Sequence, residues 1–308
     1  MNLASFHAVD LAELSAESRT LVEVRGADAR RFLQGMLSAD MEGIGADEAR
    51  PAALLTVKGK LLCDAVVMRV DGDGMGLLLP STQADRVLAE LDRHIIMDDV
   101  QLELGTHRSF AVLWGGGDAR PAADGVRIYD ARHPAPRWIA CGPSAAVRGL
   151  VDRCAVADAE TWTSHRIDTA SPAWGYEMTA DRFPTEIGLV HAISYDKGCY
   201  RGQEPLARIH ARGQVNRVLV KLSASGRPDD GLPLPLHAEG RENAGSWTSV
   251  TGASAKTRGL AVVHRSVAIP GTVLRCGDVS IRVASGPLGD DPGLAKKTKS
   301  NTVPLGRR

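Results

Sequence analysis

Residues 197–204 read KGCYRGQE, the densest run of chemistry-bearing side chains in this 308-residue chain. Gly198 and Gly202 bracket Cys199 and Tyr200, and glycine lets backbone approach a ligand or another chain segment closely. Lys197 and Arg201 flank the cysteine, and neighbouring cations lower a thiol's pKa and favour the reactive thiolate. Gln203 and Glu204 complete the run. Arg208 and Arg212 then follow four residues apart, on one face if a helix continues past Pro205. Two readings of these residues stay open: a small cysteine packed in a glycine turn, and a working thiol at a binding site.

Upstream, the pattern is mixed α and β. TLVEV (20–24) reads as a strand. Asp28 stands where it caps a helix carrying Phe32, Leu33, Met36 and Leu37 at helical spacing. AALLTV and LLCDAVVMRV, joined by KGK, form a predicted hairpin over 52–70. Gly72, Gly74 and Gly76 punctuate strands and precede no helix, so they are no dinucleotide loop. Ser81 opens a predicted helix with Leu88, Leu91 and Ile95 on its core face. Residues 115–137 read as loops around short strands, and further helices are expected from Ser144 to Val151 and from Asp158 to Ile167. Beyond Gly213 the pattern becomes alternating strands separated by glycine and proline, as in a small β barrel or sandwich. The basic, aperiodic end KKTKSNTVPLGRR is expected to be a disordered tail over 289–308.

The composition narrows the classes. Length favours two or three compact units. Lys plus Arg equals Asp plus Glu at 37 each, giving zero formal charge. Phosphate contacts dominate nucleic-acid affinity, so this balance disfavours a general nucleic-acid binder. The five cysteines, at 63, 141, 154, 199 and 276, are odd in number and widely spaced, which argues against a disulfide framework and a zinc site. Neither a signal peptide nor a membrane span is expected, so the location expected is cytoplasmic.

KGCYRGQE followed by ARIHARG resembles the signature of the YgfZ group of folate-binding proteins: lysine, glycine, cysteine, aromatic, any, glycine, glutamine, glutamate, then an arginine and an arginine–glycine pair. Other blocks are similar in the same order: VRGADARRFLQGMLSAD near the start, HRIDTASPAWG, FPTEIGLVHAIS, and GSWTSVTGASAKTRGLAVVHR late in the chain. The resemblance spans roughly residues 20 to 285. That group shares its fold with the T-protein of the glycine cleavage system, an aminomethyltransferase. The resemblance therefore implies an α+β body of two related lobes around a central cavity over 1–212, the second lobe at roughly 51–150. A C-terminal β barrel over 213–288 follows. It also implies tetrahydrofolate, or a one-carbon derivative, as ligand. The role implied is assistance in assembling or repairing iron–sulfur enzymes, one of which modifies tRNA, with iron–sulfur client or assembly proteins as partners. The alternatives are a folate-dependent aminomethyl- or methyltransferase and a tRNA-modification protein.

Several residues take expected roles from the resemblance. Cys199 is the expected working residue at the folate cavity, and Lys197, Gly198, Tyr200, Gly202, Gln203, Glu204 and Arg208 its binding neighbours. Glu186, in FPTEIGL, is expected to accept the paired N–H groups of a pterin. Arg166 is expected to face the same cavity, and Tyr176 to stack on the ring. Two positions depart from the pattern. Ala170 stands where the group has glycine. Cys63–Asp64 stands where T-proteins carry two adjacent acids, leaving Asp64 as the candidate for proton handling. No metal-ligand spacing is present.

Overall fold

The computed structural model describes residues 2–14, 17–117, 119–131, 136–212, 215–228, 231–252 and 257–289. Two five-stranded sheets and a closed barrel organise it. The first sheet contains β2 (Arg19–Arg25), β3 (Ala49–Leu55), β4 (Leu61–Arg69), β5 (Met75–Pro80) and β6 (Gln101–Leu104), in the order β3-β4-β5-β2-β6. β1 (Phe6–Asp10) leaves that neighbourhood and joins the second sheet. There it lies with β7 (Ser109–Gly115), β8 (Arg127–Asp130), β9 (Trp138–Gly142) and β10 (Ala155–Val156), in the order β10-β1-β7-β9-β8.

Alternation along β4 explains the layering. Cys63, Ala65 and Val67 face α1 (Ala29–Met36) and α2 (Ala84–Asp92), packing with Phe32, Leu33 and Leu91. Met68 belongs to the opposite core, where Leu21 and Leu78 meet Val112, Trp114 and Ile139 of the second sheet. Behind the second sheet, α3 (Ser144–Val151) buries Val147 and Leu150 against Phe6, Leu113 and Ala140. Successive strand side chains point to opposite faces, so each sheet sustains two cores.

The lobe boundary expected near residue 51 does not coincide with a change of sheet. The strands of residues 49–104 share a sheet with 19–25, and those of 109–142 share the other with 6–10, so the change of sheet falls between Leu104 and Ser109. The hairpin at 49–69 is as expected, but which sheet a hairpin joins depends on partners far along the chain. Helix starts also differ in detail. Asp28 forms no side-chain cap and instead accepts the Asp99 amide at 2.9 Å. Ser81 lies in a 3₁₀ turn before α2, whereas Asp158 does cap α4 (Ala159–Thr169), accepting the Thr161 amide at 2.8 Å.

After α4 come two 3₁₀ turns, Pro184–Ile187 and Leu189–Ala192, and α5 (Gln203–Arg212), which tolerates Pro205 in its first turn. The barrel comprises β11 (Arg217–Ala224), β12 (Leu234–Ala238), β13 (Arg241–Thr251), β14 (Thr257–His264), β15 (Val273–Cys276) and β16 (Val279–Val283). They close in the order β11-β14-β13-β12-β15-β16. Val218, Val220 and Leu222 fill its interior around Trp247. Leu219, Leu260 and Val262 point outward and pack with Leu206, Tyr200 and the β3–β4 residues Leu55 and Leu61. That seam fixes the barrel to the body. The tail expected over 289–308 lies outside the described residues apart from Gly289.

Candidate functional site

Where the two sheets meet α4 lies a cavity of about 100 Å³. β4 contributes Asp64, β2 contributes Arg19, and α4 contributes Trp162 and Arg166. Asp64 is 5% exposed, and its Oδ2 accepts from Arg19 Nη2 at 2.6 Å. Its Oδ1 is buried and accepts no hydrogen bond. Asp64 opposes burial of the Arg19 guanidinium strongly enough that the Arg19 pKa is raised.

Arg166 is 2% exposed. Its Nε donates to Glu17 Oε1 at 3.0 Å and its Nη1 to the Ser171 carbonyl at 3.0 Å, while Glu177 Oε2 lies 3.5 Å away. The Nη2 group is buried without a partner. Glu177 is fully buried and ties this region to the barrel, accepting from Thr248 Oγ1 at 2.7 Å and Ser249 Oγ at 2.6 Å. Tyr176 stands beside the arginine, its ring centre 5.4 Å from the guanidinium carbon. Two residues that line one cavity thus each carry a buried free polar atom, the acceptor Asp64 Oδ1 and the donor Arg166 Nη2. Unpaired buried polar groups are destabilising, and a ligand offering one donor and one acceptor satisfies both.

The neighbour of Asp64 is also explained. Cys63 points to the helix side of β4, where burial pushes its thiol pKa well up and keeps it protonated. Successive strand side chains point to opposite faces, and Asp64 lines the cavity whereas Cys63 does not. The acid pair's cavity-facing member is therefore the one this chain retains. Ala170 caps the C-terminus of α4 at φ 57°, in the left-handed region that favours glycine. Backbone conformation accounts for the glycine expected there.

The 197–204 segment lies apart from this cavity: none of its residues is among the lining. Lys197 Nζ donates to the carbonyls of Gln34, Leu37 and Ala39, each at 2.7 Å, closing the C-terminal end of α1. Burial draws its pKa down to about 8, against the pull of Asp40 and Glu42. Arg201 forms an ion pair with Glu90 of α2, and its amide donates to the Gly35 carbonyl at 3.0 Å. Tyr200 is buried in the seam beneath the barrel. Gly202, at φ 78°, passes so near the β3–β4 turn that an added Cβ would stand 2.5 Å from the Thr56 carbonyl oxygen. Gln203 and Glu204 start α5. Gly198, Cys199 and Glu204 stand in solvent, and Cys199 is the one exposed cysteine. Both cations expected to act on the thiol are engaged in holding the loop to α1 and α2.

Glu186 and Arg208 line a separate groove of about 250 Å³, with Phe183, Pro205 and Asn216. Glu186 Oε2 accepts the Phe183 amide at 3.0 Å, and burial raises its pKa. The expected constellation is therefore divided among three places: Asp64, Arg166 and the adjacent Tyr176; Cys199 on its loop; Glu186 with Arg208. Arg19, Glu17 and Glu177 were not foreseen. None sits in a recognisable motif; pairing of distant strands and turns brings Arg19 and Glu17 to the cavity lining, and Glu177 supports Arg166 from outside it. Among the described residues, His7 and His165 stack on Trp114 at 5.5 and 4.7 Å and His210 stacks on Tyr195 at 4.1 Å. Among the described residues, no three His, Cys, Asp or Glu side chains gather as a metal site, and no helix is long and apolar enough to cross a membrane.

Comparison with known proteins agrees with the fold. Residues 4–140 match the family model described as the GCVT N-terminal domain. The chain is 30% identical over 262 residues to the tRNA-modifying protein YgfZ of Sodalis glossinidius, covering 76% of this chain and 78% of that one. It is 29% identical over 244 residues to the protein of that name from Serratia proteamaculans, covering 71% and 72%. The crystal structure of glycine cleavage system aminomethyltransferase T from Bartonella henselae superposes with a TM-score of 0.75 at 17% identity, covering 94% of this chain and 88% of that one.

Proposed function

The chain belongs to the YgfZ family, and from that premise we propose that it binds tetrahydrofolate in the cavity between its sheets and assists the assembly or repair of iron–sulfur enzymes. The observation that carries this reading is the pair of buried, unpartnered polar atoms on two residues that line one cavity, Asp64 Oδ1 and Arg166 Nη2. A pterin ring presents N–H donors and a carbonyl acceptor along its edge, the complement of that pair. Tetrahydrofolate, when bound, supplies ring nitrogens that carry one-carbon units. Asp64 and Arg166 hold the ring edge, Arg19 orients the Asp64 carboxylate through their ion pair, and Glu17 with Glu177 fixes the Arg166 guanidinium.

Cys199 acts elsewhere. Its loop is pinned by Lys197 and Arg201 and presents the thiol to solvent, as a contact with a client or assembly protein requires. A single thiolate does not hold a cluster by itself, so a cluster at Cys199 takes its other ligands from a partner or a small thiol. The tRNA link in the names of the relatives fits a client that is itself a tRNA-modifying iron–sulfur enzyme. Retention of the cavity-facing acid, Asp64, favours a second reading, a folate-dependent aminomethyl- or methyltransferase. Incubation with an aminomethyl carrier separates the two, because only the transferase forms methylene-tetrahydrofolate.

Calorimetric titration with tetrahydrofolate tests the binding. Micromolar or tighter affinity is expected, with Asp64→Asn and Arg166→Gln each weakening it about 10- to 100-fold, the value of one charge-assisted hydrogen bond. Cys199→Ala should leave that affinity intact and abolish support of iron–sulfur enzyme activity in the host. Unchanged affinity in both cavity variants would remove the assignment.

A further inference from the structure

The groove of Glu186 and Arg208 shares no lining residue with the cavity between the sheets. It lies between the Pro184–Ile187 turn, α5 and the start of the barrel, and has a volume of about 250 Å³. Its charge differs from that of the cavity. There, Arg19 and Arg166 are matched by Asp64, Glu17 and Glu177. Here, Lys60, Arg182 and Arg217 all stand near enough to act on the Glu186 carboxyl, and Arg208 lines the groove itself. The acids near these cations are Glu186 and Asp181, the latter held by Thr179. Among the described residues, Arg182, Arg208 and Arg217 form no ion pair with any acid, and Arg182 Nε is buried without a hydrogen-bond partner.

Phe183, Pro205, Ile209 and Val215 give the groove apolar walls, and Lys60 Nζ sits 5.0 Å from the Phe183 ring centre. Guanidinium groups match phosphate oxygens in fork geometry, and an aromatic wall accepts the face of a base. Asn216 adds a side-chain amide able to donate and accept.

We infer that this groove is a second binding site, for a phosphate ester carrying a flat ring, the size of a mononucleotide, either free or at the end of an RNA chain. Arg208 receives the phosphate, and Arg182 and Arg217 add positive charge near the groove. Phe183 and the aliphatic wall receive the ring. Glu186 is the one group in the lining that opposes the anion.

The test is titration of the full chain at low salt with inorganic phosphate, AMP and a short single-stranded oligoribonucleotide. AMP should bind more tightly than phosphate and weaken as salt rises. Arg208→Gln and Arg217→Gln should each weaken AMP about tenfold, and Glu186→Gln should tighten it. Tighter binding of the oligoribonucleotide than of AMP assigns the ligand to RNA, and equal binding assigns it to the free nucleotide; either supports the site. Equal affinity for phosphate and AMP, or AMP binding indifferent to Arg208→Gln, overturns it. Tetrahydrofolate titration of the Arg208→Gln protein, expected to be normal, separates failure here from failure of the folate site.

Discussion

Replacing Lys197 with methionine isolates the work of the ammonium group, because methionine keeps an unbranched stem against Tyr200 and loses all three donors. The lysine serves the carbonyls of Gln34, Leu37 and Ala39 at 2.7 Å each. Helix C-termini leave carbonyls without intrahelical partners, as at Gln34 of α1, and the lysine joins that carbonyl to those of Leu37 and Ala39 just beyond the helix. Hydrogen bonds from a charged donor contribute about 1.5–3 kcal/mol each. Taking the ammonium out of water works against them, and burial accordingly draws its pKa down to about 8. A net loss of about 3 kcal/mol is expected in the methionine variant. In a chain of this size that lowers the melting temperature by about 6–12 °C. Lys197→Arg should also destabilise, since a planar fork does not fit three carbonyls converging on one point. Thermal melting followed by circular dichroism measures this, and hydrogen exchange at residues 196–201 should show the loop opening first. If Lys197→Met melts within about 1 °C of the parent chain, the lysine is not a clamp, and the structural account of the 197–204 run fails.

Ellman's reagent should find one fast thiol in the native protein, lost in Cys199→Ser, because Cys63, Cys141 and Cys154 are buried and Cys276 is half-buried. A second fast thiol would contradict the packing of those cysteines. Burial raises the Glu186 carboxyl above its ordinary 4.5, so the native state holds a proton that the unfolded chain has released. Stability should then fall as pH rises from about 4.5 through the folded value, and Glu186→Gln should remove that fall. Denaturant titrations across this range test it, and identical pH profiles for the two proteins would refute it.

The sequence by itself determined the family resemblance, the α+β body with a terminal barrel and the hairpin that carries Asp64. These are local properties: alternating strands, glycine punctuation, and a signature whose residues are contiguous. It also marked Arg166 and Asp64 as cavity residues, although by resemblance and not by periodicity. Tertiary structure decided where the marked residues stand. Lys197, Tyr200, Arg201 and Gly202 are spent on contacts with α1, the barrel seam, α2 and the β3–β4 turn, partners distant along the chain that no local pattern announces. Arg19 reaches Asp64 only because β2 pairs with β5 and β5 with β4. The face on which Cys63 and Asp64 separate was legible in principle from strand alternation, but which face holds the cavity was not. That depends on the second sheet closing over it, which strand order alone establishes.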